Sequence, residues 1–145
     1  MANVNRSALV SYSAESMFDL VNDVDAYPQF LPGCAETQVH NADEDRMKAS
    51  ILISKGGLRQ WFTTQNQLKR GEYIQMELIE GPFSHLSGGW RFTPLSADAC
   101  KIELDLKFEF ASRLAQAAFG KIFSSIASNM VSAFTQRARE VYGDR

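Results

Sequence analysis

Residues 112–142 read SRLAQAAFGKIFSSIASNMVSAFTQRAREVY, and the reading of this stretch decides the fold. Spaced at about 100° per residue, Phe119, Ile122, Phe123, Ile126, Met130, Ala133, Phe134 and Val141 fall on one side of a helix. Lys121, Ser124, Ser125, Ser128, Ser132, Thr135 and Arg139 fall on the other, and Arg137 interrupts the stripe near its end. No proline breaks the segment, and basic residues gather in its last turns, where they complement the helix dipole. Gly120 is its weak point, costing about 1 kcal/mol relative to Ala. A long helix with bulky apolar side chains in its middle turns needs a broad surface to lie on.

The chain ahead of it supplies that surface as strands. A first strand is predicted over 4–12, then a helix over 14–22 capped by Ser13, with Met17, Leu20, Val21 and Val24 on its buried side. In Tyr27-Pro28-Gln29-Phe30-Leu31-Pro32-Gly33 two prolines bracket a short helical turn that is unusually apolar for a connection. Antiparallel strands are predicted over 36–42, 46–54, 58–68, 73–80, 86–93 and 99–110, with Pro94 to Asp98 as a polar turn. The last is the clearest: Cys100, Ile102, Leu104, Leu106, Phe108 and Phe110 alternate with charged residues, so one face meets a core and the other water. The layout is α+β in a single domain, 1–145, with a curved antiparallel sheet of about seven strands around the C-terminal helix. A curved sheet does not close flush on a helix, and an apolar ligand fits in the gap.

At 145 residues the chain is long enough to bury a core, and its net charge of −2 gives no global field for nucleic acid. No DNA partner is expected. Cys34 and Cys100 are too few for a disulfide scaffold and read as buried thiols. No signal peptide or membrane span is visible, so a cytoplasmic protein is expected. His40 and His85 have no further ligand at metal spacing, and the core face of 99–110 carries no acid or base. No catalytic residue, metal or resident cofactor is expected, and the protein reads as a non-enzyme. Gly88-Gly89 lacks the Lys-Ser/Thr of a phosphate loop and reads as a bulge or bend that curves the sheet. Lys48, Lys55, Arg59, Lys69 and Arg70 are candidates for a basic patch on hairpins at one end.

The run Val21 to Pro32, Gly81-Pro82-Phe83, Leu86-Ser87-Gly88-Gly89-Trp90-Arg91-Phe92 and Ile126 to Phe134 together resemble the START-like, helix-grip proteins of the polyketide cyclase and coenzyme Q-binding group. The resemblance covers nearly the whole chain. Gly33 departs from it, since the family usually has Trp after the Phe-Leu-Pro element. The resemblance implies non-enzymatic binding of ubiquinone or a related isoprenoid lipid. Trp90, Phe108, Phe119, Phe123, Ala127 and Met130 would line its site, and Tyr27, Phe30, Leu31 and Pro32 would form a lid able to touch a membrane transiently. Bacterial members of the group are also named ribosome association toxins, which implies the second reading: binding of the large ribosomal subunit and a block on subunit joining.

Overall fold

The alternation over 99–110 does what its pattern dictates: Cys100, Ile102, Leu104, Leu106 and Phe108 are all buried on one face of a strand. In the computed structural model, which describes residues 2–143, that strand is the last of seven in one antiparallel sheet. In chain order the elements are β1 (Ala2–Val10), α1 (Ala14–Asn22), a 3-10 turn (Val24–Gln29), β2 (Cys34–Ala42), β3 (Arg46–Lys55), β4 (Leu58–Lys69), β5 (Tyr73–Glu80), β6 (Phe83–Ser96), β7 (Ala99–Phe110) and α2 (Arg113–Tyr142). Across the sheet the order is β1-β7-β6-β5-β4-β3-β2, so only β1 is out of sequence, paired with β7 at one edge. This is the α+β helix-grip architecture.

Both helices start on a serine. Ser13 Oγ accepts from Ser16 N at 3.1 Å, and Ser112 Oγ accepts from Ala115 N at 3.0 Å. On α2 the fully buried positions are Phe123, Ala127, Val131, Phe134 and Ala138, in steps of three and four. The stripe continues to Tyr142, whose hydroxyl donates to Ser16 O at 2.8 Å, and not to Val141, which is 49% exposed. The expected stripe ran one residue off in that last turn. Tyr12, expected as the end of β1, lies beyond it and donates its hydroxyl to Gly143 O at 2.7 Å, tying the chain's start to its end.

β6 is longer than predicted and runs through Pro94. Its pairing with β5 ends at Tyr73↔Arg91, so the missing proline N–H breaks no ladder bond on that side. Gly88 and Gly89 sit in unbroken ladders with β5 and β7, so they mark a bend and not a bulge. A Cβ on Gly88 would stand 2.0 Å from Asp105 O, and one on Gly89 would stand 1.9 Å from Ile74 O. Three strands approach there at a distance only glycine allows.

Candidate functional site

Phe123 and Phe134 fasten α2 to one half of the sheet. Ring centroids lie 4.8 Å apart for Phe123 and Phe108, 4.9 Å for Phe123 and Phe83, and 5.3 Å for Phe134 and Trp90. Beyond these rings β3, β4 and β5 curve away from the helix. Ile51, Phe62 and Met76 line the hollow that results and stay half-exposed. That hollow is a cavity of about 70 Å³ once a water-sized margin is taken from its walls. A single water needs roughly 10–15 Å³ by the same measure, so the space is several times what one water needs.

Among the expected site residues, Trp90, Phe123, Ala127 and Met130 line this cavity together with Tyr27 and Leu31. Phe108 does not; it is packed behind Phe123. Phe119 lies one turn up the helix on a small separate hollow with Ile122 and Pro82. Phe30 and Pro32 also lie off the wall. Phe30 packs edge-to-face with Phe134 at 5.2 Å between centroids and is covered by the Arg137 guanidinium at 4.9 Å, which explains how an arginine is accommodated in the apolar stripe. The element drawn as a lid therefore turns Tyr27 and Leu31 inward, both 5% exposed, and presents Pro28, Gln29 and Pro32 to solvent. Its large apolar groups face the core and not an outside membrane.

The reading from sequence missed the wall made by β3, β4 and β5, including Ala49, Thr64, Asn66 and Met76. Parity held the signal. Phe62 and Leu68 share their face of β4 with Thr64 and Asn66, so two polar residues had to point inward. Gly33 takes φ +86°, and a Cβ there would meet Ile126 Cδ1 at 2.6 Å, so the helix closes the space beside this position. Gly120 opens onto an outer groove with Arg113 and Lys121.

Among the described residues no Asp, Glu, Lys, Arg or His lines the cavity. Its titratable groups are Tyr27 and Cys34. Burial pushes the Tyr27 phenol up, helped by nearby Cys34 and Asp23, and the hydroxyl donates to Val21 O. Burial likewise pushes the Cys34 thiol up to about 11, so neither is poised as a base or nucleophile near neutral pH. His40 bonds Ser50 at 2.7 Å, and His85 is a strand residue of β6 bonded to Ser87 at 2.8 Å. Among the described residues no three His, Cys, Asp or Glu side chains gather as a metal site, and no helix is long and apolar enough to cross a membrane.

The basic hairpins do not converge. Lys55 and Arg59 flank the β3–β4 turn while Lys69 and Arg70 sit at the β4–β5 turn, roughly 33 Å away along β4. Most are also paired: Arg59 with Glu36 at 3.3 Å, Lys69 with Glu72 at 3.0 Å and Arg70 with Asp19 at 2.7 Å. Acidic residues are absent from 110–139, which carries Arg113, Lys121, Arg137 and Arg139. In a chain of net charge −2 that leaves α2 as the basic element.

Comparison with known proteins places this geometry. The model of the family described as polyketide cyclase / dehydrase and lipid transport matches residues 10–135. The ribosome association toxin RatA of Vibrio cholerae serotype O1 is 57% identical over 144 residues, 99% of this chain and 100% of that protein. The mitochondrial coenzyme Q-binding protein COQ10 of Drosophila melanogaster is 29% identical over 95% of this chain and 59% of its own length. Among solved structures, the ZhuI aromatase/cyclase of Streptomyces sp. R1128 superposes with a TM-score of 0.78 over 99% of each chain at 18% identity, a likeness of fold. With the helix-grip fold, the family match and full-length relatives in agreement, the chain belongs to the polyketide cyclase / dehydrase and lipid transport family, in the START-like group that includes the ribosome association toxins.

Proposed function

We propose that this protein works by associating with the ribosome, on the large subunit, in the cytoplasm. The observation that carries the reading is the end-to-end likeness to a protein named ribosome association toxin, 57% identical with no part of either chain left over beyond one residue in a hundred. The sequence alone ranks lipid carriage first; this likeness favours the second reading over it. The acid-free stretch 110–139, which holds most of α2, supports the same conclusion. Phosphate-rich RNA calls for unpaired cations, and Arg113 and Lys121 have no carboxylate partner among the described residues, unlike Arg59, Lys69 and Arg70. Sucrose gradients of cell lysate test it: the protein should travel with the large subunit at low salt and leave it as salt rises. Sedimentation only at the top of the gradient at every salt concentration would reject the reading.

A second reading is favoured by one specific observation, the cavity under α2. It supports binding of an uncharged apolar ligand without chemistry, since no acid or base lines it. The coenzyme Q-binding relative agrees with that reading at 29% identity. Binding would come mainly from burial of apolar surface, about 25 cal/mol per Å² removed from water. Mass spectrometry of organic extracts from the purified protein tests it: a co-purifying neutral lipid is expected, and repeated extraction of nothing above a cavity-filled control would end it.

A further inference from the structure

Two buried polar side chains face the cavity from the sheet, Thr64 and Asn66, each 6% exposed. Two apart on β4, they project to the same side. The Thr64 hydroxyl donates to Asn66 Oδ1 at 2.8 Å, which sets the amide's direction and uses its acceptor. The Nδ2 donors have no protein partner among the described residues, and this nitrogen is not among the polar atoms sealed off from free space. An amide left unpaired in an apolar wall is costly, and an acceptor brought in by a ligand recovers that cost. Asn22, the other amide on the wall, is half-exposed and stays hydrated.

Charge narrows the choice further. With no Lys, Arg or His on the wall, a carboxylate or phosphate would be buried without a counter-charge, and with no Asp or Glu an ammonium would be too. We propose that Thr64 and Asn66 form the polar anchor of the cavity, with Asn66 Nδ2 donating to one acceptor oxygen, a carbonyl or ether, of an uncharged and otherwise apolar ligand. The proposal rests on the reading that the cavity takes an apolar ligand. Thr64 is the positioning residue, holding the amide turned towards the free space.

Three probes of one chain length test it: undecane, 2-undecanone and undecanoate, each followed by the fluorescence of Trp90 in a Trp61→Phe background, which leaves Trp90 as the sole indole. Asn66→Leu should lower the ratio of 2-undecanone to undecane affinity by about 3- to 10-fold, one net hydrogen bond, because the ketone loses its donor while undecane no longer faces an unpaired amide. Thr64→Val, which keeps the amide but frees it to turn, should give a smaller loss in the same direction. At pH 8 undecanoate should bind at least about tenfold more weakly than the ketone. A ketone-to-undecane ratio unchanged in both variants, or undecanoate bound as tightly as the ketone, overturns the anchor while leaving the cavity reading intact. Failure of all three probes to bind the parent protein overturns the cavity reading and the anchor with it. If Asn66→Leu does not fold, the ratio in Thr64→Val decides alone.

Discussion

Ala127→Phe separates a cavity from a packed interface. Ala127 is 2% exposed and faces the hollow from the middle of α2, so a ring built there enters it. Filling about 70 Å³ at about 24 cal/mol per Å³ returns at most about 1.7 kcal/mol. For 145 residues the unfolding entropy is about 0.3 kcal/mol/K, so each kcal/mol moves Tm by about 3 °C. The ceiling is therefore a rise of about 5 °C. A site without spare room would be overpacked by about 1–3 kcal/mol, and Tm would fall by about 3–10 °C. We expect a Tm level with the parent or above it, by differential scanning calorimetry, and uptake of 2-undecanone at least tenfold weaker. A protein that melts lower and still takes up the ketone normally would refute the placement of the cavity under Ala127.

Four further outcomes follow from the same structure. Gly88→Ala should cost more than 4 kcal/mol, because its Cβ would stand 2.0 Å from a backbone oxygen; Gly56→Ala, with nothing within 4 Å, should cost about 1 kcal/mol, both read by urea denaturation. Leu31→Ser should lower Tm by about 6–15 °C, as for a core leucine, where a loose lid would tolerate it within a degree or two. Burial raises the Cys34 and Cys100 thiols from 9.0 to about 11, so the fold favours their protonated forms. Stability should be level below pH 9 and fall as pH rises from 9 towards 11, and Cys34→Ala with Cys100→Ala should flatten that fall. Arg113→Glu with Lys121→Glu should weaken ribosome association and reduce its salt dependence, while Lys69→Glu with Arg70→Glu, whose parent cations already pair with Glu72 and Asp19, should change it little.

The architecture was legible because its signals are local. Ser13 caps α1 where expected, α2 begins within one residue of the expected start, and the period-two pattern of 99–110 and the threes and fours of α2 each bury one face. The cavity was only half legible. Its roof lies on α2, where the resemblance to the helix-grip group implied Phe123, Ala127 and Met130. Its floor lies on β3 to β5, where Ile51, Thr64, Asn66 and Met76 come together through register across strands, which no single segment encodes. Phe108 and Phe119 fit the right stripes, but Phe108 packs behind Phe123 at 4.8 Å and Phe119 sits one turn up the helix on a small separate hollow. The basic hairpins failed for a different reason. Residues near in sequence stand at opposite ends of a 12-residue strand, and the acids that neutralise Arg59 and Arg70 come from β2 and α1.

The most direct measurement is equilibrium binding of the purified protein to isolated large and small ribosomal subunits over a salt series. The account predicts saturable binding to the large subunit, none to the small one, and a linear fall of log K with log salt whose slope is shallower by about two for the Arg113→Glu, Lys121→Glu protein, one per lost phosphate contact. Equal binding to both subunits, or none to either at low salt, would contradict it.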